Sequence, residues 1–64
     1  MCEARVYLEK GGKLEQIMEN VVTVRPDGDQ LILTDIFGEE KKIKGSLKEV
    51  KLLDHQIILE ESQS

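Results

Sequence analysis

Sixty-four residues, 39% of them hydrophobic, with 13 acidic and nine basic side chains and a net charge of −4, leave room for one small core and exclude a second domain. No run approaches the roughly 20 apolar residues that cross a bilayer. A single cysteine closes no disulfide within the chain, which favours a reducing compartment, the cytoplasm. The N-terminus shows no positively charged segment followed by an apolar run, so no export signal is expected. The acidic balance repels phosphate backbones and attracts cations, making nucleic acid the less natural partner.

The first predicted element is a strand. Cys2, Ala4, Val6 and Leu8 alternate with Glu3, Arg5, Tyr7 and Glu9, the period of a strand with one buried face, and this places Cys2 with the core. Gly11 and Gly12 supply a turn. From Leu14 to Arg25 two periods compete, because Leu14, Ile17, Met18, Val21 and Val22 also fit one face of a helix. The β-branched run Val21 to Val24 favours a strand. A bulge near Glu19 and Asn20 would let that strand bend around a small barrel.

Pro26 to Asp29 read as a turn, Leu31 to Thr34 as the returning strand, and Phe37 to Glu39 as the next break. Glu40 to Lys44 form a short charged strand of the kind found at sheet edges, ended by Gly45 and Ser46. Ser46 and Glu49 have capping-box spacing, which allows at most one helical turn. Val50 to Leu53 and Gln56 to Glu60 form a hairpin about Asp54 and His55, and the polar residues from Glu61 onward fray. The expected fold is all-β: one domain over residues 1–64, a small antiparallel barrel of SH3/Sm-like type with about six short strands. A chain of about 60 residues buries only about 60% of the surface it exposes unfolded, so pairing into a homodimer is expected to add stability.

The inventory for catalysis is thin. Cys2 and His55 are the one thiol and the one imidazole, no motif joins them as nucleophile and base, and no enzyme activity is expected. His55 reads as a solvated turn residue in preference to a metal ligand. The glycine turns lack the spacing and following lysine of a nucleotide loop. Lys41, Lys42, Lys44, Lys48 and Lys51 could form a basic patch, but Tyr7 and Phe37 are the only aromatic residues available to stack bases. Lysines protecting a solvated sheet edge are the simpler reading.

Cys2 could simply fill the core at the start of a strand. Its position beside the amino terminus also allows its thiolate to share a metal with the α-amine and a deprotonated amide nitrogen. Those nitrogen and sulfur donors suit Ni(II) or Cu(II) better than an oxygen-seeking ion. With Met1 removed, Cys2 offers amine and thiolate from one residue; with Met1 retained, three donors can still converge. Two chains meeting near their N-termini would complete the site with a second Cys2, coupling metal binding to dimerisation.

The start at Met1, Cys2, Ala4, Val6 and Leu8, the run Val21 to Val24, the turn at Asp27 and Gly28, Phe37 with Glu39 and Glu40, Gly45 and the terminal hairpin from Val50 to Leu59 together resemble the CooT family. The likeness covers nearly the whole chain. It implies a small β-barrel homodimer that binds Ni(II) at the subunit interface through the cysteine matching Cys2, with carbon monoxide dehydrogenase as the client metalloenzyme. The alternative is a small barrel that binds RNA or another protein through the lysines near Lys41 to Lys51, with no metal role.

Overall fold

The computed structural model describes residues 3–61. It has five strands: β1 (Ala4–Lys10), β2 (Lys13–Asp27), β3 (Gln30–Asp35), β4 (Glu40–Lys51) and β5 (Gln56–Glu61). They follow one another in sequence order around a closed barrel. Consecutive strands are antiparallel. The ring closes through a parallel pair, with Val6 opposite Ile57 and Leu8 opposite Leu59. This departs from the all-antiparallel barrel expected, for a topological reason. When an odd number of strands reverse direction at every connection, the first and last run the same way.

The tightest turns are set by glycine. Gly11 and Gly12, with φ of +54° and +84°, form the two-residue loop between the paired Lys10 and Lys13. Positive φ at both positions is what a type I′ hairpin turn demands. Pro26 and Asp27 prove to be the last residues of β2, paired with Leu31 and Gln30, and the reversal itself is only Gly28 and Asp29.

Strand, not helix, is the state of the segment from Leu14 to Arg25, and its pairing explains why the sequence pattern was ambiguous. Between the pairs Ala4↔Val21 and Val6↔Met18, β2 carries one residue more than β1, and it gains another between Met18 and Gln16. A third extra residue falls between Val21 and Thr23 against β3. Each bulge swaps the face to which later side chains point. Ile17, Met18, Val21 and Val24 therefore all reach the core at a spacing that imitates a helix. Asn20, within the expected bulge, has φ of +59°, the left-handed conformation that asparagine tolerates better than most residues.

Two expected strands are one. Glu40 to Lys44 pair with β3, and Gly45 to Lys51 of the same strand pair with β5, so the count is five where six were expected. Gly45 and Ser46 do not end the strand, and Ser46 to Glu49 form no helical turn. Gly45 instead marks the point where β4 changes partner, with its amide donating to the Asp29 carbonyl. Leu52 and Leu53, expected in a strand, lie in the turn before β5.

The core is Val6, Leu8, Val21, Leu31, Leu33 and Leu59, with Ile17, Met18, Val24, Ile43 and Ile57 packed against it. Val6, Leu33 and Leu59 are fully buried. Fully burying side chains of this size contributes about 1.5–3 kcal/mol each. No helix among the described residues is long and apolar enough to cross a membrane.

Candidate functional site

Cys2, the expected core residue and metal ligand, lies outside the described residues. What the structure does show is the end of the barrel from which the first residues depart. Ala4 pairs with Val21, and Val21 pairs with Asp35 at the end of β3. Arg5 pairs with Gln56 at the start of β5, and Gln56 pairs with Lys51 at the end of β4. Two turns therefore flank the entrance to β1.

Both turns are anchored through the backbone. The Arg5 amide donates to the His55 carbonyl at 2.9 Å, and the His55 amide donates to Leu52 at 3.3 Å. The Ile36 amide donates to the Asn20 carbonyl at 3.0 Å, which ties the second turn to the bulge in β2. Within that turn the Asp35 carboxylate, almost wholly buried, accepts from the amides of Phe37 and Glu39, each at 2.9 Å. An aspartate accepting the amide two residues on forms an Asx turn. Two amide donors also offset the cost of burying its charge.

The two turns carry the most exposed apolar side chains. Leu53 is 97% exposed, Leu52 80% and Phe37 77%; Ile36, next to Phe37, and Val22, next to the Val21 that pairs with Asp35, are each more than two-fifths exposed. Single exposed leucines are ordinary, but several large apolar groups at one end of a small domain make that end a candidate interaction surface. Sequence reasoning missed this surface because it placed Leu52 and Leu53 in a strand. The available signal was that two adjacent leucines beside Asp54 and His55 cannot both face one side of a pleated strand.

The opposite end is charged. A cleft of about 800 Å³ there is bordered by the glycine turns and by Glu9, Asp29, Glu60 and Glu61. Two of these acids are paired: Glu61 with Lys10 at 3.4 Å and Glu9 with Lys48. The hydrogen bond to Glu9 is the main cause that holds the Lys48 ammonium above its ordinary pKa, with lesser support from the nearby carboxylates of Glu60 and Glu49. Among the described residues, no three histidine, cysteine, aspartate or glutamate side chains gather in a way that could hold a metal ion.

The lysines expected as a basic patch are partly engaged elsewhere. Lys48 meets Glu9, and the Lys41 ammonium donates to the Ile17 carbonyl at 3.4 Å, covering a stretch of β2 that pairs only with β1. Arg25 pairs with Glu40 at 3.2 Å. Tyr7 is half-buried within β1 while Phe37 stands exposed in a turn, so the two aromatic residues occupy different elements.

Known proteins match this chain along nearly its full length. A crystal structure of a protein assigned as CooT, from Carboxydothermus hydrogenoformans, superimposes with a TM-score of 0.89 at 39% identity, covering 97% of this chain and 100% of that one. An uncharacterised protein of Methanocaldococcus jannaschii is 33% identical over 60 residues, 94% of this chain and 98% of its own length. Another, of Methanothermobacter thermautotrophicus, is 37% identical over 60 residues, covering 94% and 89% respectively. The family model for CooT, described as a CO dehydrogenase accessory protein, matches residues 1–60. With fold, length and sequence all in agreement, the chain belongs to the CooT family.

Proposed function

We propose that this chain is a metallochaperone-like accessory protein that holds Ni(II) through Cys2 at a homodimer interface and passes it to a metalloenzyme, carbon monoxide dehydrogenase. The observation that carries the reading is the apolar barrel end around the entrance to β1, formed by the turns bearing Phe37, Leu52 and Leu53. A second copy docking there would bury these side chains, at roughly 25 cal/mol for each Å² removed from water. It would also bring two N-termini, and so two Cys2 thiols, towards each other.

The chemistry follows from the donors. A thiolate with an amine or amide nitrogen selects a late divalent ion such as Ni(II), and the protons these donors lose on binding make affinity rise with pH. The ion is cargo, so a site near a chain end and beside a docking surface suits transfer better than an enclosed cage. No group of carboxylates among the described residues competes for it.

The experiment is a titration of the full chain and its Cys2→Ser variant with nickel chloride, following thiolate-to-metal charge-transfer absorption and binding heat. The charge-transfer band and most of the affinity are expected to disappear with the thiol. Equal binding by both proteins would overturn the assignment.

A further inference from the structure

We propose that the free edge of β4 between Leu47 and Val50 takes up an extended segment of a partner protein as an added strand, with a basic side chain of that segment reaching the acid-lined cleft where the edge ends.

The edge exists because β4 changes partner. Its first half pairs with β3 and its second half, from Gly45 to Lys51, with β5, so the second half has a neighbour on one side only. The direction of its main-chain groups follows from the parallel ladder. The Arg5 amide takes the His55 carbonyl, so residues 55, 57 and 59 of that segment turn their amides and carbonyls to β1, and Gln56 and Ile58 turn theirs to β4. Lys51 and Glu49, opposite Gln56 and Ile58, are thereby engaged with β5. Val50, opposite Ile57, and Leu47, opposite Leu59, direct their amides and carbonyls away from β5. Gly45 fits the same pattern, and its outward amide is taken by the Asp29 carbonyl. Beyond it, among the described residues, no main-chain bond covers the outward groups of Leu47 and Val50.

The side chains are uncovered too. Leu47 and Val50 share the face of Leu59, which is fully buried, and of Ile57, which packs against the core, yet both are exposed. The bulge between Leu47 and Glu49 is what sets two residues three apart on one face. Strand edges are commonly guarded by lysines, and the free edge of β2 is: the Lys41 ammonium sits on the Ile17 carbonyl. On β4, Lys48 instead reaches across β5 to Glu9 of β1, leaving its own edge unguarded.

Outward main-chain donors and acceptors beside uncovered apolar side chains fit an extended strand, which supplies both complements at once. At Gly45 and Ser46 the edge meets the acid-lined cleft, where Asp29 and Glu60 have no ion-pair partner among the described residues. That charge selects a basic residue at the corresponding end of the incoming segment. A second copy of this chain suits the edge poorly. Two-fold pairing centred within the stretch sets either Lys48 or Glu49 opposite its own counterpart, and like charges directly opposite destabilise a sheet. A homodimer joined at the entrance to β1 leaves the edge open, because β5 stands between β1 and β4.

The probe is a capped hexapeptide of alternating threonine and valine with a lysine at one end, titrated into the full chain and followed by amide NMR. The Leu47 and Val50 signals should shift, and exchange of the Val50 amide with solvent should slow. Replacing the peptide lysine by glutamate should weaken binding several-fold. N-methylation of the central peptide residue should weaken it about tenfold by removing a main-chain donor, as should Val50→Pro, which removes the outward amide and spares the bonds to β5. Signals of Leu47 and Val50 that stay unmoved at millimolar peptide would overturn the proposal. So would binding that ignores both N-methylation and Val50→Pro, which would mark a merely apolar contact. Val50 protection that rises with protein concentration in the absence of peptide would assign the edge to a second copy and overturn the foreign strand.

Discussion

Gly45 lies so close to the main chain of Glu60 that a β-carbon at this position would overlap the Glu60 carbonyl oxygen. Its φ is not among the positive ones, so space, not backbone conformation, demands the glycine. The obstacle is backbone within a paired strand, which cannot swing aside as a side chain would. Gly45→Ala is therefore expected to force β4 and β5 apart where β4 changes partners, at a cost on the order of 3 kcal/mol. For a domain of this size that is a fall in melting temperature of roughly 12–24 °C. An unchanged melting curve would refute the close approach.

Asn20 makes the opposite argument, because there the backbone conformation is the constraint. At φ +59°, replacing asparagine by alanine should cost about 1 kcal/mol, while Asn20→Gly should stay within about 0.5 kcal/mol of the parent. Both variants keep the carbonyl that accepts from Ile36. Urea unfolding of the pair isolates the conformational cost. If glycine proves as damaging as alanine, the asparagine side chain matters for another reason.

The apolar end of the barrel separates folding from association. Leu52 and Leu53 are 80% and 97% exposed in the single chain, so changing both to aspartate should alter the stability of an isolated barrel by no more than about 0.5 kcal/mol per site. The same double change should abolish a dimer formed through these turns, because it would place charges in an apolar contact. Sedimentation equilibrium of parent and variant decides it. A parent that sediments as a monomer at high concentration, with or without nickel, would remove the homodimer.

Lys48 and Glu9 predict an alkaline transition. The pKa of Lys48 is raised in the folded chain, first by its hydrogen bond to Glu9, so the ammonium is favoured more in the folded than in the unfolded state. The stabilisation is fully present below the unfolded value, near pH 10.5, and disappears as pH rises through the higher folded one. Carbon-13 NMR of the lysine ε-carbons should show one midpoint above the rest, and Glu9→Gln should bring it back. The pair is solvent-exposed, so added salt should shrink the displacement as well. A midpoint that ignores both the substitution and salt would refute the pairing.

Much of the fold was legible from local rules. The alternation around Val6 and Leu8 and the glycines at positions 11, 12 and 28 specified strands and turns because they depend on contacts between near neighbours. The boundary at Gly45 was misread for an instructive reason. A glycine inside a strand carries the same letter as a glycine that ends one, and only the Glu60 backbone, 15 residues further along the chain, shows which is meant. The apolar end was hidden in the same way, since the exposure of Leu53 depends on what fails to cover it.

By itself the sequence determined an all-β pattern, favoured a strand with a bulge near Asn20 over a helix for the segment from Leu14 to Arg25, and singled out Cys2 as the candidate metal ligand, because periodicity, β-branching and donor chemistry are properties of the residues and their neighbours. The tertiary structure decided the number of strands, the parallel meeting of β1 with β5, and the placing of His55 on the row of Ala4. Those outcomes depend on which distant segments share hydrogen bonds. That choice is made by closure of the whole barrel, which no local window of sequence contains.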